Sequence, residues 1–407
     1  MSKIKFKLNE LVEVKNGSTP STERLDFYDG DIVWITPKDL SNSKSKYVYS
    51  SERKITKLGF DSCSTSMLPI GSILLSSRAP IGLLAICGVD ICTNQGFKNL
   101  VIKKNKVNNE YLYYWLKTKV KYIDSLGTGT TFKEVSKGVI ENLEIEIPEN
   151  LKDQQKIASV LSTLDAKIEL NNRINAELET MAKTLYDYWF VQFDFPNAKG
   201  KPYKSSGGKM VWNEELKREV PAGWEVGELS DIANILMGQS PPGESYNESG
   251  QGMIFYQGCT DFGNRFPTVR KFTTEPTRFA KEGDILLSVR APVGTLNIAK
   301  EDCCIGRGLA ALNSKDNCIA YLFGVMVNLK QIFDRRNVDG TTFGSITKDD
   351  LFSLKVIRPE KSILKKYNEI VDPSFQKQNK IELENQKLTE LRDWLLPMLM
   401  NGQVQVG

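Results

Sequence analysis

Asp153–Phe190 reads DQQKIASVLSTLDAKIELNNRINAELETMAKTLYDYWF, with no Gly or Pro to interrupt it. Its apolar residues are Ile157, Val160, Leu161, Leu164, Ile168, Ile174, Leu178, Met181, Leu185, Tyr188 and Trp189. Spacings of three and four return them to one face every two turns, which predicts a single long amphipathic helix. The stripe is narrow and the opposite face carries Lys, Glu, Asn and Arg, so this helix needs a partner helix along a seam. The stretch from Ser362 to Met400 supplies one, with Ile370, Ile381, Leu388, Leu391, Leu395 and Met398 at similar spacing. It also repeats Lys167-Ile168-Glu169-Leu170 as Lys380-Ile381-Glu382-Leu383, 213 residues later.

That repeat extends to the regions that precede each helix. Gly71-Ser72-Ile73-Leu74-Leu75-Ser76-Ser77-Arg78-Ala79-Pro80-Ile81-Gly82 returns at an offset of 212 as Gly283-Asp284-Ile285-Leu286-Leu287-Ser288-Val289-Arg290-Ala291-Pro292-Val293-Gly294. Gly129-Thr130-Thr131-Phe132 recurs as Gly340-Thr341-Thr342-Phe343, and Gln95-Gly96-Phe97 aligns with Arg307-Gly308-Leu309. The chain is therefore a tandem repeat of one unit, a globular domain followed by a long helix.

Within the first copy, short β-rich runs at 31–35, 71–75, 82–86 and 143–147 are separated by turn formers. One helix, 109–122, interrupts them, with Asn109 as its candidate cap. The expected class is α+β with curved, mostly antiparallel sheets. The expected division is residues 1–150 as the first globular domain, 151–194 as a helix and 195–219 as a turn-rich linker. A second domain then occupies 220–360, and a C-terminal helix runs through 361–407. Antiparallel pairing of the two helices would close the two copies in a pseudo-two-fold arrangement. A 38-residue helix spans roughly 57 Å, on the order of 17 base pairs of B-DNA.

Composition narrows the function classes. The chain has 407 residues, 40% hydrophobic and 26% charged, with no histidine. General acid–base and metal chemistry lean on imidazole more than on any other side chain, so its absence weighs against a hydrolase or transferase. The seven cysteines include no C-x-x-C and read as small buried hydrophobes in a reducing compartment. No long apolar run predicts a membrane span, and a cytoplasmic location is expected. Net charge is +4, concentrated in residues 1–150, too weak for strong nonspecific nucleic-acid binding. Two basic clusters are interleaved with aromatics: Lys44, Lys46, Arg53, Lys54 and Lys57 around Tyr47 and Tyr49, and Arg265, Arg270, Lys271 and Arg278 near Phe262, Phe266 and Phe272. Each is either a nucleic-acid contact or a solvated face.

Several motifs occur in a characteristic order: Gly17-Ser18-Thr19-Pro20-Ser21, Trp34-Ile35-Thr36-Pro37-Lys38-Asp39-Leu40, the Ser-Arg-Ala-Pro-Ile-Gly turn, Asn94-Gln95-Gly96-Phe97, Gly129-Thr130-Thr131-Phe132, Ile147-Pro148 and Gln154-Gln155-Lys156-Ile157. With Trp189-Phe190-Val191-Gln192-Phe193-Asp194-Phe195-Pro196 and Val220-Pro221-Ala222-Gly223-Trp224, the series resembles the specificity subunit of type I restriction-modification systems across essentially the whole chain. The resemblance implies two target recognition domains, each reading half of a split, asymmetric double-stranded DNA sequence, with the paired helices as the spacer. It implies a non-catalytic chain that docks two methyltransferase subunits and works with restriction subunits carrying ATP-driven translocase and nuclease activity. S-adenosylmethionine, ATP and Mg2+ would sit on those partners, and this chain would carry no cofactor of its own. The second copy departs from the pattern at Gly306-Arg307-Gly308 and Gly238-Gln239-Ser240-Pro241, which leaves its backbone contacts less secure.

Residues that differ between copies are the candidates for base edges: Lys44, Lys46, Arg53 and Lys54 in the first, Arg265, Arg270 and Lys271 in the second. Arg78 and Arg290 hold the same place in both, so they either grip phosphate or brace the turn. Thr130, Thr131, Thr341 and Thr342 either offer hydroxyls and N–H groups to phosphates or form plain tight turns. The aromatic run containing Tyr186, Tyr188, Trp189, Phe190, Phe193 and Phe195 is either core or a docking surface for the methyltransferase. Two rival readings are a methyltransferase and a scaffold that never meets DNA. The first would need an Asn-Pro-Pro-Tyr or Asp-Pro-Pro-Tyr motif, and Ser240-Pro241-Pro242-Gly243 lacks both the amide or carboxylate and the aromatic.

Overall fold

A computed structural model describes residues 2–42, 45–103, 105–129, 133–338, 345–404 and 406. The chain is α+β and divides into two compact units, residues 1–170 with 385–407, and residues 171–384. Each contains part of both long helices, Leu151–Tyr186 and Lys361–Asn401.

The first unit is built on a five-stranded sheet ordered Val12–Asn16, Lys98–Ile102, Ile73–Leu75, Leu84–Cys87, Tyr47–Val48. Its pairings are antiparallel except the last. A parallel pair, Trp34-Ile35 beside Cys92-Thr93, lies on a separate three-stranded sheet. The second unit repeats this plan in the antiparallel order Ala233–Met237, Leu309–Ser314, Ile285–Ser288, Leu296–Ile298. Its parallel pair is Phe255-Tyr256 beside Cys304-Ile305. The strand expected at 71–75 begins later, at Ile73, and the one expected at 31–35 begins earlier, at Tyr28. Gly71 and Gly283 adopt φ near +87° and +86° in the turns that precede Ile73 and Ile285, a left-handed conformation that extended strand cannot include.

One helix of each unit covers the sheet, Asn109–Ser125 in the first and Ile319–Val338 in the second. The cap of the former is Asn108 rather than Asn109: the Asn108 side chain accepts the Tyr111 N–H at 2.9 Å, while the Asn109 amide reaches back to the Gly71 carbonyl. Asn108→Ala is expected to destabilise the first unit by about 1 kcal/mol, seen as a lower urea midpoint. The same change at Asn109 should do less. Gln154, fully buried, locks the start of the long helix to this point, accepting the Asn108 N–H at 2.9 Å and donating to the Pro148 carbonyl at 2.8 Å.

The long helices are antiparallel within the second unit, where Asn171 donates to Glu384 at 2.8 Å and Gln378 to the Asn175 carbonyl at 3.4 Å, one number rising as the other falls. Their ends are core rather than spacer. Leu396, Leu399 and Met400, from the end of the C-terminal helix, pack in the first unit with Leu8, Leu11, Ile157 and Leu161. Tyr186, Trp189 and Phe190, from the end of the other helix, pack in the second with Trp224, Tyr321 and Tyr367. Each globular core is thus completed by residues distant in sequence.

The stretch expected to be a linker is also partly built in. Phe195 is buried and stacks on Tyr203 and Trp224 at centroid distances of 4.6 and 4.7 Å. Asp194 accepts both the N–H and the hydroxyl of Ser205, which hold its carboxyl below the ordinary range. A hairpin, Met210–Asn213 with Arg218–Pro221, follows. Turn composition marked this stretch as irregular, but its aromatics bury it.

Candidate nucleic-acid interface

On one edge of each unit, several loops are laced together by backbone hydrogen bonds, and the two units match bond for bond. In the first, Ser18 N–H donates to the Thr93 carbonyl (2.9 Å), Asn94 to Ile35 (3.0 Å), Ser77 to Gly96 (2.8 Å) and Val135 to Ser77 (2.9 Å). In the second, Gln239 donates to Ile305 (3.0 Å), Gly306 to Tyr256 (2.8 Å), Val289 to Gly308 (3.0 Å) and Ile346 to Val289 (2.8 Å). The approach is so close that a Cβ at Gly17 would lie 1.9 Å from the Asn94 oxygen, and one at Gly238 would lie 2.2 Å from the Gly306 oxygen. Only glycine permits this contact.

Arg78 and Arg290 stand on this edge, both exposed. Their surroundings differ. Arg78 Nε donates to Glu134 at 3.0 Å, and the other Glu134 oxygen takes the Lys98 ammonium at 2.9 Å. Burial alone would raise the Glu134 carboxyl, but Lys98 and Arg78 outweigh it and hold the group below the usual carboxylate range. In the second unit Ser345 pairs with Arg290 across the same bridge, and Ala310 takes the place of Lys98 on the matching strand. The second copy therefore lacks both the acid and its lysine. The Lys98–Glu134 pair was legible only as a mismatch between copies, Lys against Ala and Glu against Ser.

The other candidates fall into three groups. Arg53 and Lys54 are exposed, with the Arg53 guanidinium 4.2 Å from the centre of the Tyr28 ring. Lys271 is exposed, and so is Arg270, whose guanidinium is held by Asp261 and, at 2.8 Å, by the Thr260 carbonyl. Two assignments to base edges are overturned. The Lys46 side chain is 8% exposed, its ammonium 2.6 Å from Glu110 and 3.1 Å from the Ser162 hydroxyl of the long helix. Arg265 lies 4.2 Å over the Phe375 ring and donates to Asn379 and the Phe375 carbonyl, its pKa lowered by burial to about 10. Both cations brace a recognition unit against a long helix, because a buried charge must be paired where it lies. Lys44, Thr130, Thr131, Thr341 and Thr342 lie outside the described residues.

The family model for the type I restriction modification DNA specificity domain matches twice, at residues 2–180 and 221–393. The chain belongs to the type I restriction-modification specificity subunits. It is 34% identical to the type I restriction enzyme MjaIX specificity subunit of Methanocaldococcus jannaschii, over 98% of this chain and 93% of that one. A second relative from the same organism, the putative type I restriction enzyme MjaX specificity subunit, is 32% identical over 88% of this chain and 86% of its own. The fold is shared with the crystal structure of a type I restriction-modification system S subunit from M. genitalium, at a TM-score of 0.62 and 20% identity, covering 98% of this chain and 96% of that one.

Membership in this family makes partner docking an expectation, and the aromatic run is the wrong surface for it. Tyr186, Trp189, Phe190 and Phe193 are all buried, packed among Trp224, Tyr321 and Tyr367. A docking surface must be open to the partner, and these rings are spent on the core of the second unit. Tyr188 is the residue of the run that stays exposed. Among the described residues no helix is long and apolar enough to cross a membrane.

Proposed function

We propose that this specificity subunit recognises a bipartite double-stranded DNA target, each globular unit reading one half, with the two long helices fixing the number of unread base pairs between them. In this reading the chain is not catalytic. It directs two methyltransferase subunits and the ATP-driven restriction subunits to the site, and S-adenosylmethionine, ATP and Mg2+ bind those partners. The observation that carries the reading is the matched loop edge: one backbone lattice, built twice, presenting different exposed side chains. Two unlike readers on one chain multiply specificity, because mismatches at separated positions cost roughly 1–3 kcal/mol each and add.

The test is a footprint of the chain assembled with its methyltransferase subunits, followed by methylome sequencing of a host that carries the complex. Two protected patches around an unprotected gap, and a split motif with modified adenines in each half, are expected. A continuous motif, or no protection at all, overturns the proposal.

Arg290 and Arg78 serve as backbone grips in this reading, since identical residues at matched places cannot distinguish two half-sites. Arg290→Ala is expected to weaken binding about equally across sequences and to reduce the dependence of log affinity on log salt by about one unit. Arg78→Ala should reduce it less, because Glu134 already neutralises part of that charge. Titrations at three salt concentrations would separate them.

A further inference from the structure

The matched loop edge has one position at which geometry is kept and chemistry is changed. Gln95 lies between Asn94 and Gly96, and Arg307 between Gly306 and Gly308. In both units the following glycine is buried and its carbonyl accepts the N–H of the residue before the shared arginine, Ser77 or Val289. A Cβ at Gly96 would press on the Asn94 side chain and Pro37 at 3.0 Å, and one at Gly308 would lie 2.6 Å from the Gln257 carbonyl. The loop is therefore clamped on both sides, and the side chain between the clamps is exposed. A hydroxyl residue of the Gly-Ser-Thr-Pro or Gly-Gln-Ser-Pro turn holds it from below: Thr19 donates to the Gln95 side chain, and the Ser240 hydroxyl accepts the Arg307 N–H at 3.4 Å.

We propose that Gln95 and Arg307 are equivalent base-reading residues, Gln95 for an adenine in the half-site of the first unit and Arg307 for a guanine in the half-site of the second. The assignment rests on the DNA-recognition reading above and goes beyond it. An amide side chain matches the N6 and N7 edge of adenine with two hydrogen bonds, and a guanidinium matches O6 and N7 of guanine in the same way. Several other candidates are weaker: Lys46 and Arg265 are committed to the long helices, Arg270 to Asp261, and Arg78 and Arg290 do not differ between copies. Base readout also demands a side chain whose root is fixed, and this loop is fixed by backbone bonds on either side.

The test uses the full chain assembled with its methyltransferase subunits and a randomised DNA pool, with bound sequences read out. Gln95→Arg is expected to change one base pair of one half-site from A·T to G·C and to leave the other half unaltered. Arg307→Gln should make the reverse change in the other half. Alanine at either position should lower discrimination at that single base pair by roughly ten- to a hundred-fold. Thermal melts matching the parent chain would show that the fold is intact, and the alanine variants carry the test if an exchange variant fails to fold. Variants that keep every position of the parental motif, or that lose affinity for all sequences alike, overturn the assignment. A parental complex with no split motif overturns the recognition reading itself, and this assignment with it.

Discussion

Phe190→Ala is expected to destabilise the second unit by ~3–5 kcal/mol. The ring is 2% exposed and sits in a cluster of aromatics, with centroids 4.7 Å from Tyr321, 4.9 Å from Tyr367, 5.3 Å from Tyr186 and 6.0 Å from Trp224. Tyr321, Tyr367 and Trp224 come from separate segments of the chain, so truncation opens a cavity that no single element can close by shifting. The turn that carries Phe190, Asp187–Val191, is π-helical. That widening of the backbone follows directly on the long α-helix and carries both Trp189 and Phe190 into the core. Urea denaturation followed by limited proteolysis reads the effect: cleavage sites should open in residues 195–360 while residues 1–150 remain protected. Phe190→Leu, which keeps most of the volume, should lose much less. A loss under about 1 kcal/mol for the alanine variant would show that the end of the helix is not structural core and would reopen it as a docking surface.

The second large effect belongs to the first unit. Arg392 of the C-terminal helix donates to Asp165 of the other long helix at 2.9 Å, and Asp165 also accepts the Tyr114 hydroxyl at 2.5 Å. The side chains of the ion pair are only 16% and 13% exposed. Burial alone would lower the Arg392 guanidinium, but hydrogen bonds to Asp165 and Asp393 outweigh it and hold it up. Asp165→Ala is expected to cost on the order of 2 kcal/mol, since it leaves the Arg392 guanidinium with Asp393 alone and the Tyr114 hydroxyl without its acceptor. Arg392→Met should cost less, because it removes the charge and keeps the apolar stem. The double variant should be more stable than the sum of the two losses predicts, by 1 kcal/mol or so. Losses that add within about 0.5 kcal/mol would show that the pair does not couple the helices.

Much of this architecture is present in the sequence. A Gly- and Pro-free amphipathic run from Asp153 to Phe190 and its partner from Ser362 to Met400 define the two long helices. The recurrence of Arg-Ala-Pro and Gly-Thr-Thr-Phe at near-constant offset defines the duplication. Both signals are local or periodic, and periodicity is what a one-dimensional chain records. The resemblance carried by the ordered motifs led to the family in the same way.

Tertiary structure alone decided which charged and aromatic residues are available. Lys46 and Arg53 belong to one basic cluster in the sequence, yet Lys46 faces Glu110 and Ser162 inside the unit while Arg53 is exposed. Arg265 looks like a surface cation until Phe375 and Asn379, more than a hundred residues away, close over it. Tyr186, Trp189 and Phe190 could be either core or interface until Tyr321 and Tyr367 meet them. In every case the deciding neighbour lies far along the chain. A charge or ring has the same identity wherever it is placed, and only the folded contacts fix whether it meets water, a carboxylate or another ring.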